Sequence, residues 1–149
     1  MKVGLISSSG GHLTHLRWLE PWWREHERFW VSFQTPDAEA ALAGERVVWA
    51  HHPSNRDLPN LGRNLGLAWR TLRRERPDLL VSTGAGVAVP FLGVGGALGI
   101  PCVYIEVYDR IDRPSLSGRL LRGWVDAVVI QWEAQRRAYP DGVLLGPMR

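Results

Sequence analysis

Short, continuously apolar runs alternate along the chain with segments in which apolar residues recur at helical spacing. The runs are rich in Val, Ile, Leu and aromatic side chains and are bounded by polar or turn-forming residues, as expected for strands buried on both faces of a parallel sheet. They predict six strands, at residues 2–7, 29–33, 47–50, 79–82, 102–106 and 127–130.

The segments between the runs predict six helices, at residues 12–25, 37–43, 58–74, 87–98, 116–121 and 133–138. Pro77, Pro101 and Pro140 end helical segments, because proline lacks the N–H that the next helical hydrogen bond requires. Alternating strands and helices are typical of an α/β fold with helices on both faces of a parallel sheet. Since no repeat, low-complexity tract or linker interrupts the pattern, we expect one Rossmann-like domain over residues 1–149.

The composition is that of a globular protein, with 45% hydrophobic and 22% charged residues. Its unusual features are 8 tryptophans and 18 basic residues, nearly all arginine, at a net charge of only +3. Arginine and tryptophan suit a phosphate-bearing ligand, a nucleic acid or a bilayer surface. Genome base composition and burial of the tryptophans in the core explain the same numbers equally well.

Several functional classes are disfavoured. The longest apolar stretch, residues 85–100, is shorter than the roughly 18–20 residues that span a bilayer, and the N-terminus lacks a secretory apolar region. Cys102 is the only cysteine, and no Cys/His group has zinc-ligand spacing. We therefore expect a cytoplasmic protein without a metal site.

Ligands of open parallel sheets bind at the carboxyl ends of the strands, which directs attention to the loops at residues 7–12, 83–86 and 106–117. The first contains Ser9, Gly10, Gly11 and His12. Glycines before a helix let backbone amides approach an anion closely, so this loop predicts a phosphate site beside His12. A plain strand-to-helix turn capped by serine is the alternative.

The second loop contains Thr83, Gly84 and Gly86, again at a change from strand to helix. These small residues leave room for a ligand or, equally, for close packing of the following helix.

The third loop brings Glu106 at a strand end together with Asp109, Arg110 and Ser117. Glu106 is placed to act as a base, and Arg110 could bind a phosphate through two parallel hydrogen bonds. The alternatives are a structural ion pair, Glu106–Arg110 or Asp109–Arg113, and a helix cap at the serine.

The helix predicted at residues 58–74 is amphipathic. Its apolar side carries Leu61, Leu65, Ala68, Trp69 and Leu72, and arginines occupy the rest. Burial of the apolar side in the core is the default expectation. The alternative is an interfacial helix against anionic lipid, with a membrane surface formed by Trp69, Arg63, Arg70, Arg73 and Arg74.

Taken together, these segments resemble the Alg14 family and its bacterial capsule and exopolysaccharide relatives, the PssD, CpsF or EpsE-type proteins. The resemblance rests on pieces in the family's order: Ser9-Gly10-Gly11-His12, Ser82-Thr83-Gly84-Ala85-Gly86, Tyr104-Ile105-Glu106 with Arg110, residues 116–121, residues 129–132 and Gly146-Pro147.

The resemblance implies the N-terminal, acceptor-binding half of a split GT-B glycosyltransferase, similar to the acceptor domain of MurG-type enzymes. A separate Alg13-like or PssE-like subunit would bind the nucleotide-sugar donor, and the sugar, GlcNAc or another hexose, would pass to a polyprenyl-diphosphate-linked acceptor. No cofactor and no nucleic-acid partner are implied. Eukaryotic Alg14 has an N-terminal anchor, whereas this sequence starts at the first strand, so we expect peripheral attachment at the inner face of the cell membrane.

Residue roles follow from position. Glu106 is the first candidate for the catalytic base and His12 the second. Acceptor and phosphate binding fall to Ser9, Gly10, Gly11, His12, Thr83, Gly84, Gly86, Arg110 and Ser117. The partner interface falls to Gln131, Trp132 and residues 144–149, including Gly146 and Pro147.

Two other functions stay open. One is a non-catalytic membrane scaffold that recruits and activates the donor-binding partner. The other is a free-standing, flavodoxin-like nucleotide-binding domain, which the lack of a Walker lysine and of a ribose-binding acid disfavours.

Overall fold

The computed structural model describes residues 1–52, 58–111 and 113–147. Within them, seven parallel strands form one sheet in the order β3-β2-β1-β4-β5-β6-β7. The strands are β1 (Lys2–Ser7), β2 (Glu27–Phe33), β3 (Val47–Ala50), β4 (Leu79–Gly84), β5 (Cys102–Ile105), β6 (Ala127–Ile130) and β7 (Val143–Leu144). The predicted Rossmann-like parallel sheet is confirmed, with seven strands in place of six.

Helices cover both faces of the sheet. They are α1 (Gly11–Arg17), α2 (Glu20–Trp23), α3 (Pro36–Ala41), α4 (Leu58–Glu75), α5 (Ala88–Ala97), α6 (Leu116–Leu121) and a 3₁₀ helix (Glu133–Arg137). None of the helices in the described part of the chain has the length and apolarity to cross a bilayer.

The hydrophobic core has two halves, one on each face of the sheet. Because side chains alternate along a strand, Leu5 of β1 packs with the α1–α3 side and the next residue, Ile6, packs with the α4–α6 side. α1 and α2 contribute Leu16 and Trp23 to the first half, and α5 contributes Phe91 to the second. The alternation explains why strand residues are apolar throughout.

Two predicted elements differ from the structure, and one strand was not predicted. The helix predicted at residues 12–25 is interrupted between α1 and α2, because Pro21 has no N–H to donate to the preceding turn. The segment predicted as a helix at residues 133–138 forms the tighter 3₁₀ helix. β7 was not predicted, since two residues are too few to show a periodic pattern.

α4 is rotated somewhat from the default expectation, although Ala68 and Leu72 of its predicted apolar side are buried in the core. Asn64 is fully buried, whereas Leu65 and Trp69 are 42% and 49% exposed. Asn64 accepts a hydrogen bond from the His51 amide (2.8 Å) and donates one to the His51 carbonyl (3.0 Å), which satisfies the backbone just after β3. The prediction that Leu65 and Trp69 belong to the core is therefore wrong, because the inward face is selected by backbone hydrogen bonding.

The sheet order brings the three candidate loops together. β1 lies between β2 and β4, and β5 is the next strand after β4. Ser7 pairs with Gly84 at the carboxyl edge, and the Ser8 amide donates to the Gly84 carbonyl (2.8 Å). The loops after β1, β4 and β5 therefore share one edge of the sheet.

Close packing of α5 on the sheet gives a stability prediction. A Cβ on Gly95 would overlap the Leu80 side chain and lie 3.2 Å from the Cys102 sulfur, whereas one on Gly93 of the same helix would meet nothing within 4 Å. We expect Gly95→Ala to lower the free energy of unfolding by about 1–3 kcal/mol through overpacking. Gly93→Ala, the matched control, should leave it unchanged or raise it by about 0.5–1 kcal/mol through helix propensity. Urea denaturation measures both, and equal effects would contradict the packing argument.

Candidate functional site

A cleft of about 750 Å³ opens at the carboxyl edge of the sheet, between the three loops. α1 forms one wall, and the loop after β5 with the start of α6 forms the other. The lining residues are Gly11, His12, His15, Ala85, Val107, Tyr108, Asp109, Arg110, Ser115, Leu116 and Ser117.

His12 is held in one orientation by a reciprocal pair of hydrogen bonds. Its Nδ1 lies 2.9 Å from the Thr83 carbonyl, and the Thr83 hydroxyl donates to the His12 carbonyl (2.6 Å). Because a carbonyl only accepts, the proton is assigned to Nδ1, and in the neutral ring Nε2 is then an acceptor. His12 is therefore a positioned proton acceptor in the wall of the cleft.

The rest of the first loop shapes the turn. The Gly10 amide donates to Asp37 Oδ2 (3.1 Å), and Gly10 has φ of 81°, which favours glycine. Neither Ser9 nor Gly10 lines the cleft, whereas Gly11 does. The Gly10 amide already has an internal acceptor, and phosphate binding by Ser9 stays a prediction.

The second loop is also structural, apart from Ala85. Thr83 and Gly84 are buried, and neither they nor Gly86 line the cleft. A Cβ on Gly84 would lie 3.2 Å from His12 Nδ1 and 3.2 Å from the Tyr104 hydroxyl. The contribution of Gly84 is thus to leave room for His12, and the predicted direct contacts of Thr83, Gly84 and Gly86 with a ligand are not supported.

Glu106 does not face the cleft. It is 0% exposed, and its carboxylate accepts four hydrogen bonds: from the Val107 amide (3.0 Å), the Ser115 amide (3.0 Å), the Ser115 hydroxyl (3.1 Å) and the Tyr139 hydroxyl (2.6 Å). Burial, followed by the interaction with Glu106, raises the pKa of Tyr139, so the phenol stays protonated as a donor. The prediction of Glu106 as base is therefore wrong: its carboxylate has no access to a substrate and holds the loop together.

A second group of hydrogen bonds fixes the same loop from the side of the 3₁₀ helix. Gln135 donates to the carbonyls of Val107 and Arg110 (both 3.1 Å), and Gln131 donates to the Glu106 carbonyl (3.0 Å). Trp132 donates from its indole to the Tyr108 carbonyl (2.6 Å). Gln131 is 1% exposed, so its assignment to a partner interface is corrected: it is enclosed by its own chain.

Arg110 is the cation of the cleft wall. It is exposed, and its side chain makes no hydrogen bond or ion pair within the described ranges, so neither alternative ion pair, Glu106–Arg110 or Asp109–Arg113, is formed there. Ser117 lines the cleft and donates its hydroxyl to the Ala85 carbonyl (2.8 Å), which leaves its oxygen only as an acceptor.

Sequence reasoning did not select His15 and Tyr108 as site residues, although both line the cleft. The signal for His15 is its position three residues after His12, on the same side of α1. Burial, followed by the charge of His12, lowers the pKa of His15, against an opposing effect of Asp109. Among the residues that the structure describes, no group of three or more His, Cys, Asp or Glu side chains is arranged to hold a metal ion.

Comparison with known proteins identifies the family. Residues 62–148 match the family described as "Oligosaccharide biosynthesis protein Alg14 like", which is more than half of the chain. The chain belongs to the Alg14-like family. The resemblance drawn from the loop residues is thereby confirmed, and the matched segment includes the second and third loops.

Two curated relatives give the range of similarity. The human "UDP-N-acetylglucosamine transferase subunit ALG14" is 33% identical over 89 residues, covering 56% of this Alg14-like chain and 41% of that protein. A Moorella thermoacetica transferase, whose name specifies an N-acetylmuramyl-(pentapeptide) pyrophosphoryl-undecaprenol substrate, is 36% identical over 76 residues, covering 51% and 19%. Each match spans less than half of the relative's length.

Solved structures agree on the fold. Acinetobacter baumannii MurG superposes with a TM-score of 0.75 at 15% identity, over 90% of the Alg14-like chain and 43% of MurG. UDP-GlcNAc 2-epimerase from Neisseria meningitidis gives a TM-score of 0.72 at 11% identity, over 97% and 45%. At such identities the likeness shows the fold alone, which is the predicted MurG-like one.

The role of Glu106 as an internal acceptor gives a second stability prediction. In Glu106→Gln, one carboxylate oxygen is replaced by an NH₂ group that faces donors, so buried hydrogen bonds are lost. We expect the free energy of unfolding to fall by about 2–3 kcal/mol. The control Glu133→Gln removes only a surface ion pair with Arg136 and should cost less than about 1 kcal/mol. Denaturant titration compares them, and a Glu106→Gln protein as stable as the control would refute the structural role.

Proposed function

We propose that this Alg14-like chain binds the acceptor in a two-component glycosyltransferase. Its substrate is a polyprenyl-diphosphate-linked sugar, and a separate Alg13-like or PssE-like subunit binds the nucleotide-sugar donor. The observation that carries the proposal is the presence, in one cleft, of the oriented imidazole of His12 and of the Arg110 guanidinium, which has no hydrogen-bond or ion-pair partner among the described residues. The names of the two relatives support the proposal, since one is a UDP-N-acetylglucosamine transferase subunit and the other an N-acetylglucosamine transferase.

Arg110 provides the charge for the acceptor diphosphate. Since no carboxylate of the described residues pairs with it, the guanidinium can form two parallel, charge-assisted hydrogen bonds to phosphate oxygens. Gly11 lines the same cleft without a side chain, so a ligand can come close to the backbone there. Ser117, whose proton is donated to Ala85, accepts a hydrogen bond from a substrate hydroxyl instead of donating one to phosphate.

His12 acts as the general base in this scheme. The acceptor hydroxyl oxygen forms a bond to the anomeric carbon of the donor sugar while its proton passes to His12 Nε2. The bond from the anomeric carbon to the nucleoside diphosphate breaks, and the diphosphate leaves with the electron pair on the partner's side. Thr83 holds the imidazole so that Nε2 is the basic atom throughout.

The outer surface of α4 supports attachment to the cytoplasmic face of the membrane. Leu65 and Trp69 are exposed there, and the Arg73 guanidinium lies 5.3 Å from the Trp69 ring centroid. α5, beside α4, has only uncharged residues, and beyond it Trp124 is 53% exposed. Exposed tryptophan next to arginine is characteristic of an interfacial surface. Arg63, Arg70, Arg73 and Arg74 supply the positive charge.

The edge of the sheet at β7 supports docking of the donor-binding partner. β7 pairs only with β6 within the described strands, so its other edge is open. Val143, Leu144 and Leu145 are 57%, 45% and 55% exposed. Gly146 and Pro147 follow directly, as the resemblance implies, while the last two residues of the predicted 144–149 interface lie outside the described part. An exposed apolar edge strand is a natural site for another chain.

A conservative variant tests the base. His12→Asn keeps a side-chain N–H that can reach the Thr83 carbonyl but removes Nε2, so we expect kcat to fall by roughly 10²–10⁴-fold with little change in the acceptor KM. The measurement is transfer from UDP-GlcNAc to a short-chain prenyl-diphosphate sugar by the chain with its co-expressed donor-binding subunit. His51→Asn, at an exposed histidine, is the control. We expect transfer only when both subunits are present. Full activity of His12→Asn would favour the non-catalytic scaffold alternative.

A charge-matched pair of variants tests the membrane surface. Replacing Arg70 and Arg73 with glutamine should weaken binding to vesicles containing anionic phospholipid roughly 30-fold, from about 1 kcal/mol for each basic residue near the surface. Replacing Arg17 and Arg24, on the helices of the opposite face of the sheet, removes the same charge and should change binding less than about threefold. Equal losses in a flotation assay would show only an effect of net charge.

A further inference from the structure

A second imidazole, that of His15, lies in the cleft wall one helical turn after His12. His15 is 5% exposed, and its ring centroid lies 4.8 Å from that of Trp18 and 4.9 Å from that of Tyr108. Its ring makes no hydrogen bond within the described residues. Aromatic packing therefore fixes the ring and leaves its polar atoms unpaired.

The environment of His15 determines which nitrogen carries the proton. Nδ1 is enclosed and has no hydrogen-bond partner in the described part of the chain, and Nε2 is not among the enclosed, unpaired atoms there. An enclosed N–H without an acceptor is rarer and more costly than an enclosed lone pair, so the neutral ring carries its proton on Nε2. Burial lowers the pKa of His15, which keeps the ring neutral. Since His15 lines the cleft, its N–H is the group that a ligand meets.

Two neighbours in the cleft wall complement this donor. The Asp109 carboxylate is exposed, interacts electrostatically with His15 and makes no hydrogen bond or ion pair within the described residues. Tyr108 is 40% exposed and presents an aromatic ring. A phosphate beside Asp109 would be repelled, whereas a pyranose offers hydroxyl donors, hydroxyl acceptors and an apolar C–H face that suits an aromatic ring.

We propose that His15, Tyr108 and Asp109 form a subsite for the pyranose ring attached to the acceptor diphosphate. The His15 N–H donates to a hydroxyl or N-acyl oxygen of the sugar, Asp109 accepts from a hydroxyl and Tyr108 packs against the ring. Arg110, next in sequence to Asp109, holds the diphosphate, so the cleft has an anionic-ligand part and a neutral-sugar part. This inference rests on the proposed function and deepens it, because it names the groups that read the acceptor sugar.

The test compares a prenyl diphosphate with and without the sugar. Farnesyl diphosphate and the same diphosphate carrying N-acetylglucosamine are titrated calorimetrically into the full chain. The sugar also removes one charge from the terminal phosphate, so its contribution is measured by the change in the ratio of the two affinities between the wild type and each variant. His15→Phe keeps an aromatic ring between Trp18 and Tyr108 but removes the N–H. We expect the affinity for the sugar-bearing ligand to fall about tenfold, equivalent to roughly 1.4 kcal/mol, as for loss of one hydrogen bond. The affinity for farnesyl diphosphate should change by less than about twofold.

Asp109→Asn provides a second variant at an exposed position, where folding is not at risk. It should lower the affinity for the sugar-bearing ligand by a similar factor. The affinity for farnesyl diphosphate should stay the same or rise, because a negative charge is removed. His26→Phe, a histidine away from the cleft, is the control and should change neither affinity. Equal weakening of both ligands by His15→Phe would mean a structural role and would overturn the subsite.

The two proposals fail in different ways. If the wild-type chain binds farnesyl diphosphate but gains nothing from the sugar, the subsite is wrong and diphosphate binding by Arg110 stands. If the wild-type chain binds neither ligand, acceptor binding itself is wrong, and the subsite falls with it.

Discussion

The carboxylate of Glu106 accepts hydrogen bonds from three parts of the chain: the residue after it, Ser115 before α6, and Tyr139 after the 3₁₀ helix. An ionised carboxylate away from water is costly unless donors replace its hydration, and these donors come from segments that only the folded chain brings together. The loop that carries Arg110 is thus fixed at both ends by hydrogen bonds to Glu106. Between these ends, Gln135 donates a hydrogen bond to the Arg110 carbonyl. The cleft is thus shaped by a polar network as well as by the apolar core.

The apolar runs predicted the strands because a parallel sheet buries both faces of each strand, and the rule for carboxyl ends then located the cleft. The roles within the loops were harder to predict. Glu106 and His12 both follow strand ends, and the sequence favours the carboxylate as base. The structure favours His12 instead, because Glu106 is buried against Tyr139, 33 residues away, whereas His12 lines the cleft. A contact at such separation leaves no signal in local pattern.

α4 shows a related limit. Its periodicity correctly predicts a helix that buries Ala68 and Leu72, but it does not determine the exact rotation of the helix about its axis. The backbone of His51 needs partners, Asn64 provides them, and the helix consequently turns Trp69 outwards. The rotation leaves two large apolar side chains, Leu65 and Trp69, in contact with solvent. The membrane contact proposed above would bury both of them.

The position of Trp132 connects the proposed partner edge to the cleft. It follows β6, which lies beside the open edge strand β7, and its indole donates to the Tyr108 carbonyl (2.6 Å). A donor-binding subunit seated on β7 would therefore lie one strand away from a side chain that holds the acceptor loop. Movement of Trp132 on docking would shift Tyr108 and its neighbours Asp109 and Arg110 together. In the proposed two-component enzyme, the acceptor groups and the donor site would then be aligned by the same contact that assembles the two chains.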